Sequence, residues 1–273
     1  MTLSFLQLFW LGVTLVILGA GSLVFLFPQL CVTLSDLVKY GKSPTKKKSP
    51  ALRLIVVPKR WFTHFYIVAV VSSSFWLVQM YLVRVGGAKL SPVLHQWIVL
   101  LVQPNTTPTV DRFSGLLVMV LVWMHCVRRL LESFFVSVYS DTEMNLFHYL
   151  LGWVHYTLLP ICLLAEVSGL INTEEVDGDN AAVWWAVGAL LFLYCSYEQH
   201  QCLSAFAKMR RNHLGNITTY AHGIPFGGWF EWLSCPHFLF EIGIYVSLFV
   251  CLQCFIMKCN GIAHVLCQNL FRL

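Results

Sequence analysis

The feature that most limits what this chain can become is a run of about 20 apolar residues that recurs along its length. A hydrocarbon layer about 30 Å thick is crossed by roughly 20 residues of helix, and a helix satisfies its own backbone polar groups where no water reaches them. By that measure six spans lie near residues 3–34, 62–85, 113–139, 145–170, 182–206 and 230–257, while 261–273 is too short to cross alone. Hydrophobic residues fill 58% of the 273 positions and charged ones 11%, which is too little polar surface to clothe a soluble globule. The expected fold class is therefore all-α: a polytopic transmembrane helical bundle over 1–257, with 258–273 as a separate tail. The first run is longer than the apolar core of a signal peptide and ends in no small-residue cleavage pattern, so it is read as a retained span.

Charge between the spans sets the expected orientation. Segment 39–60 carries Lys39, Lys42, Lys46, Lys47, Lys48, Arg53, Lys59 and Arg60, and loop 207–229 carries Lys208, Arg210 and Arg211. Both are expected on the cytosolic side, where basic loops accumulate. The acidic connection NTEEVDGDN falls on the opposite side by the count of spans, an independent agreement. Of two glycosylation sequons, that at Asn105 lies in an expected lumenal loop and that at Asn216 in a cytosolic one, so only the first is open to use. Ten Cys are spread through apolar segments without the spaced His partners of a zinc site. They are read as small core residues, and neither a metal nor a nucleic acid is expected.

An ionised side chain at the bilayer centre costs about 2.5–3.5 kcal/mol on insertion scales, so polar residues inside spans are candidate sites. In WMHCVRRLLESFF, Arg128 and Glu132 stand at i,i+4 and are expected to pair, while His125 and Arg129 share a neighbouring face. The plainer role for Arg128 and Glu132 is a structural ion pair that locks two helices. His125 lies deeper and has no such ready account. His64 follows the interfacial VPKRW and reads equally well as an interfacial ring bonded to a carbonyl. Glu198, Gln199 and His200 interrupt the fifth span before its basic exit, a pattern that suggests a wet cavity, and Arg210 and Arg211 have planar forks that suit phosphate. There is no GxGxxG after a strand and no P-loop, so a nucleotide would be held by helices. In GIPFGGWFEWLSCPHFLFEIGIYVS, His237 and Glu241 share one helical face behind a loop rich in Gly and Pro.

Several of these segments together, YGK, VPKRWFTHFYI, MHCVRRLLESFFVSVYS and above all the GIPFGG run with its SCPHFLFE, resemble the steroid 5-alpha-reductase family from about Tyr40 to Ser247. VPKRWF and RRLLE point within it to the polyprenol reductase branch. The resemblance implies a multi-pass enzyme of the endoplasmic reticulum membrane, with seven helices, that uses NADPH to saturate an activated carbon–carbon double bond. The substrate it implies is the α-isoprene unit of a polyprenoid, reduced on the way to the dolichol of N-glycosylation. It implies cofactor binding by Gln199, Arg210, His222, His237 and Glu241. It also sets His64 and His125 where the steroid enzymes grip a ketone with a Glu and a Tyr, and so marks them as the catalytic pair. Two departures stand out: Gly223, where an Arg commonly precedes Ile-Pro, and the tail MKCNGIAHVLCQNLFRL, which has neither Pro nor Tyr and so does not match the family's closing segment with Tyr-Pro and Arg. An inactive relative serving as a membrane scaffold, a 3-oxo-5-alpha-steroid 4-dehydrogenase and a prenyl-protein methyltransferase are the alternatives.

Hydride delivered to an alkene carbon leaves negative charge on its neighbour, and an allylic alcohol gives that charge no sink. An α,β-unsaturated aldehyde does, because the charge moves to oxygen, where a preorganised donor stabilises it. The species reduced is therefore expected to be polyprenal, with His64 or His125 the donor and the substrate entering sideways from lipid.

Overall fold

The computed structural model describes residues 4–27, 56–84, 86–102, 110–140, 142–164, 167, 181–220 and 223–252, and among them the chain is almost wholly helical. Seven α-helices follow one another: α1 (Phe5–Leu26), α2 (Phe62–Arg84), α3 (Pro92–Val102), α4 (Arg112–Leu131), α5 (Leu146–Leu164), α6 (Ala181–Met209) and α7 (Pro236–Cys251). All but α3 fall in segments predicted as spans. The addition, α3, is an apolar helix of 11 residues interrupted by His95 and Gln96, too short for a criterion that looks for about 20. Among the described residues four segments are long and apolar enough to cross a membrane: Phe5–Leu26, Lys59–Val83, Arg112–Val136 and Leu146–Leu164. α7 is a shorter apolar helix, whereas α6, at 29 residues, is about 43 Å long at 1.5 Å per residue. His222, the sequon at Asn105, the basic stretch up to residue 55, the acidic 172–180 connection and the tail 258–273 lie outside the described residues.

α1 begins with a capping box, in which Ser4 Oγ accepts the Gln7 N–H at 3.1 Å and Gln7 Oε1 accepts the Ser4 N–H at 2.9 Å. Of its side chains only Leu6 and Trp10 are buried, and it leans on α3 at the rim of the bundle. The apolar side chains it leaves exposed are those a bilayer would cover. The core is made instead by α2 with α4 and α5, and by α6 with α7.

Small residues let α6 and α7 lie close together. A Cβ on Gly188 would meet Cys251 Sγ and, at 2.8 Å, the Ser247 carbonyl oxygen, and one on Gly243 would lie 2.5 Å from Cys195 Sγ. At the start of α4, Asp111 caps by accepting the N–H groups of Phe113 and Ser114 at 2.9 Å, and Trp185 Nε1 on α6 donates to Ser114 Oγ at 2.7 Å. At its other end α4 widens into a π-turn, Glu132–Val136, a distortion that often accompanies functional residues. A two-stranded antiparallel sheet, β1 (Val56–Pro58) with β2 (Glu143–Asn145), pairs Val57 with Met144 and ties the entry of α2 to that of α5. These constraints gather α2, α4, α6 and α7 at the end of the bundle where the polar residues sit.

Candidate active site

His125, Arg128, Arg129 and Glu132 recur along α4 at intervals of three or four, so all four project from one stripe of the helix. The stripe meets α6 and α7. Arg128 Nη1 donates to Glu132 Oε1 at 2.7 Å, the expected i,i+4 pair, but its Nη2 reaches Gln199 Oε1 on α6 at 2.5 Å and His125 Nδ1 at 3.2 Å. Gln199 Nε2 in turn donates to Glu241 Oε2 and to the His237 carbonyl oxygen, the latter at 3.3 Å. One guanidinium and one amide thereby join three helices.

The tautomer of His125 follows from its neighbour. Arginine only donates, so Nδ1 is the acceptor and the ring proton is assigned to Nε2. Nε2 lies 3.3 Å from Glu241 Oε1, near enough for charge pairing but without the alignment of a hydrogen bond. His125 is 5% exposed and Glu241 14% by side chain, so this pair acts largely out of water.

Glu132, at 3% exposure, is the second hub. Oε1 takes Arg128 and, at 2.9 Å, His200 Nδ1 from α6, and Oε2 takes Arg129 Nη1 at 2.5 Å. Arg129 Nη2 continues to the Tyr66 hydroxyl on α2 at 2.7 Å. A buried carboxylate costs several kcal/mol unless its oxygens are matched, and here both oxygens are matched by positively charged or protonatable groups.

The residues expected to bind a cofactor divide into two places. Gln199, Glu241 and the backbone of His237 meet at the His125 network, and the His237 ring packs edge-on against Phe206 at 5.2 Å. Arg210 stands at the far end of α6, its Nη1 donating to the Val138 carbonyl at 2.6 Å, and Arg211 reaches toward the Val136 carbonyl at 3.4 Å. These carbonyls follow the π-turn and need donors from elsewhere. Eleven residues of helix separate Gln199 from Arg210, about 16 Å along α6.

His64 is not brought to this network. Its Nδ1 is 2.9 Å from the Tyr149 hydroxyl on α5, its ring lies 5.4 Å from that of Trp61, and beside it is a small apolar cluster of Val57, Phe65, Met144 and Tyr149. Two residues that the sequence reading passed over do join the site. Tyr66 binds Arg129, and Tyr245 sets its ring 6.1 Å from that of His125, edge to face. Positions 237, 241 and 245 share one face of α7, which was the available signal for Tyr245. Tyr66 was masked by the aromatic run FTHFY, which reads as an interfacial belt.

Residues 142–271 match the family described as 3-oxo-5-alpha-steroid 4-dehydrogenase, a stretch that holds α5, α6 and α7 and extends into the tail. Similarity to whole proteins extends further. The polyprenal reductase of Caenorhabditis elegans is 39% identical over 227 residues, covering 82% of this chain and 74% of that protein. The polyprenal reductase of Danio rerio is 36% identical over 254 residues, 87% of this chain and 81% of its own, and that of Homo sapiens 34% over 254 residues, 90% and 80%. With such identity spread over most of both partners, and with the polar stripe of α4 meeting α6 and α7, the chain belongs to the steroid 5-alpha-reductase family, in its polyprenal reductase branch.

Proposed function

We propose that this protein reduces the α-isoprene double bond of a polyprenal, with NADPH as reductant, in the endoplasmic reticulum membrane, on the route from polyprenol to dolichol for N-glycosylation. The observation that carries the reading is the buried network in which His125, Arg128, Gln199 and Glu241 converge from α4, α6 and α7. It is charged, largely closed to water and placed within helices, as a reaction that stabilises developing negative charge on a lipid requires.

The residues present fit a nicotinamide dinucleotide. Gln199 and Glu241 offer a donor and acceptors of the kind a carboxamide pairs with, and Arg210 and Arg211 follow the end of α6, about 16 Å of helical rise beyond Gln199, where phosphates would be met. The buried Nε atoms of Arg128 and Arg211 have no hydrogen-bond partner among the described residues, which leaves donors for an anion. A nicotinamide held there would supply the hydride. His237 and His222 complete the proposed binding set from α7 and from the loop before it.

His125 serves as donor to the substrate oxygen. Its Nε2–H is held by the Arg128 bond at Nδ1 and is not aligned on Glu241, so it is available to an acceptor that arrives beside it. Glu241 stabilises the ring when positive charge develops on it. Arg128 and Glu132 form the ion pair that fixes the stripe, and the stripe fixes His125. His64, bonded to Tyr149, remains the second candidate donor and would need to turn away from α5 to act.

The test is reduction of a short polyprenal, with the polyprenol in parallel, by membranes containing the 273-residue chain and stereospecifically deuterated NADPH. Deuterium at the β carbon from the aldehyde alone is the expected result. Label entering neither compound would sink the reading.

A further inference from the structure

We propose that Tyr66 is a second hydrogen-bond donor to the aldehyde oxygen, aimed by Arg129. The inference rests on the reading of the site as one that reduces an enal. Tyr66 lies on α2 at 5% exposure, and its hydroxyl receives a 2.7 Å hydrogen bond from Arg129 Nη2. Because arginine has donors only, the phenolic oxygen is the acceptor in that bond and its own proton points elsewhere. Among the described residues nothing accepts that proton. The Arg129 bond satisfies the phenolic oxygen as an acceptor and leaves its O–H for a ligand oxygen.

Arg129 is fixed as firmly as the phenol it holds. Its Nη1 is bound to Glu132 Oε2 at 2.5 Å, and its guanidinium carbon lies 5.0 Å from the centre of the Tyr66 ring. A charge-assisted bond onto the phenolic oxygen draws electron density from it and makes the O–H a stronger donor. His125 and Arg129 are one helical turn apart on α4. The phenol thus approaches the α4 stripe from α2, as Gln199 and Glu241 approach it from α6 and α7. Two donors from opposite sides of one stripe are the arrangement an oxyanion needs.

In the step served, the β carbon gains a C–H bond by taking hydride from the reduced nicotinamide. The alkene pair moves to join the α and carbonyl carbons, and the carbonyl π pair settles on oxygen. Tyr66 keeps its proton and gives only a hydrogen bond. A proton from solvent water, which leaves hydroxide in the bulk, then reaches the α carbon and restores the carbonyl, so the enal is reduced by two electrons and the dihydronicotinamide oxidised.

The experiment uses the 273-residue chain in lipid nanodiscs with NADP⁺ and a short enal carrying ¹³C at the carbonyl, read by infrared difference spectroscopy. Donors at the oxygen lower the carbonyl stretch of the bound enal in the wild type. Tyr66→Phe is expected to raise it toward the free value and, with NADPH, to lower kcat by about 10²–10³-fold while leaving the KM for NADPH unchanged. Tyr156→Phe, which alters a neighbouring phenol 5.9 Å away between ring centres, is expected to leave the stretch where it was. Arg129→Lys keeps the charge but not the planar fork, and is expected to raise the stretch in the same direction, which covers the case of a Tyr66→Phe protein that does not accumulate. A Tyr66→Phe chain with wild-type stretch and kcat overturns this proposal and leaves the reductase reading standing. A wild-type chain that neither binds nor reduces the enal overturns both.

Discussion

Two histidines within apolar helices, His125 on α4 and His64 on α2, are both marked as catalytic by the family resemblance and sit in unlike surroundings. His125 has a guanidinium on one ring nitrogen and a carboxylate near the other, contributed by α4 and α7, with Gln199 of α6 bonded to both partners. His64 has one neutral phenol, Tyr149, and aromatic rings around it. The difference teaches what separates a site from an anchor. Charge gathered from several helices costs stability and is kept for a task, whereas a ring at the edge of the apolar layer needs only one partner.

The strongest way to break the contrast is to remove the carboxylate of α7. Glu241→Ala takes the carboxylate from beside His125 and leaves Gln199 Nε2 only the His237 carbonyl as acceptor. Losing a buried carboxylate from such a network costs about 3–5 kcal/mol, and because Glu241 belongs to the proposed cofactor set, binding of NADPH is expected to weaken by about 10²–10⁴-fold, as titration of the purified chain would register. Unchanged affinity would mean that the network is structural and the cofactor lies elsewhere.

Removing the hub on α4 comes next. Glu132→Gln withdraws the charge that holds Arg128, Arg129 and His200 together, and about 3 kcal/mol of stability is expected to go with it. Thermal unfolding in detergent, followed by tryptophan fluorescence, would register a lowered midpoint. A wild-type midpoint would show that water matches the two guanidiniums as well as Glu132 does.

Close packing of α6 on α7 also sets where Gln199 meets Glu241, and Gly188 tests that part. Gly188→Val places methyl groups against Cys251 and the Ser247 carbonyl, where not even a Cβ fits without movement. Overpacking of this kind costs about 1–3 kcal/mol, and because it parts α6 from α7 it is expected to lower turnover as well as the unfolding midpoint. Full activity with normal stability would mean that the hairpin can spread without disturbing the network.

How much of this was legible beforehand depends on distance along the chain. Apolar runs are local, so helices in all six predicted spans could be read, while α3 was missed because its 11 residues fall below the length the reading required. The i,i+4 pairing of Arg128 with Glu132 is local too and is present at 2.7 Å. The bond from Arg128 to Gln199 joins positions 71 apart, and that from Arg129 to Tyr66 joins positions 63 apart. No periodicity encodes such pairs, because they arise from which helix faces which. Family resemblance marks Gln199 and Glu241 as cofactor-binding residues, not as partners of one another or of Arg128, and it names His64 with His125 as the catalytic pair, whereas His64 on α2 is bonded to Tyr149 on α5.

The smallest expected effect is also the one that tests the contrast most directly. His64→Ala removes a single neutral hydrogen bond to Tyr149, worth about 0.5–1.5 kcal/mol, and is expected to lower turnover by less than about tenfold. His125→Ala removes a donor at the reacting oxygen, and a loss of about 10²–10³-fold in kcat is expected. Both proteins should bind NADPH, since neither ring belongs to the proposed cofactor set, so the comparison rests on kcat measured at saturating NADPH. Equal losses would mean that His64 leaves Tyr149 when substrate is bound and that the two histidines act on the same oxygen. A double mutant distinguishes that case from coincidence. Groups that act as one unit lose no more together than singly, whereas an anchor and a donor lose the product of their separate effects.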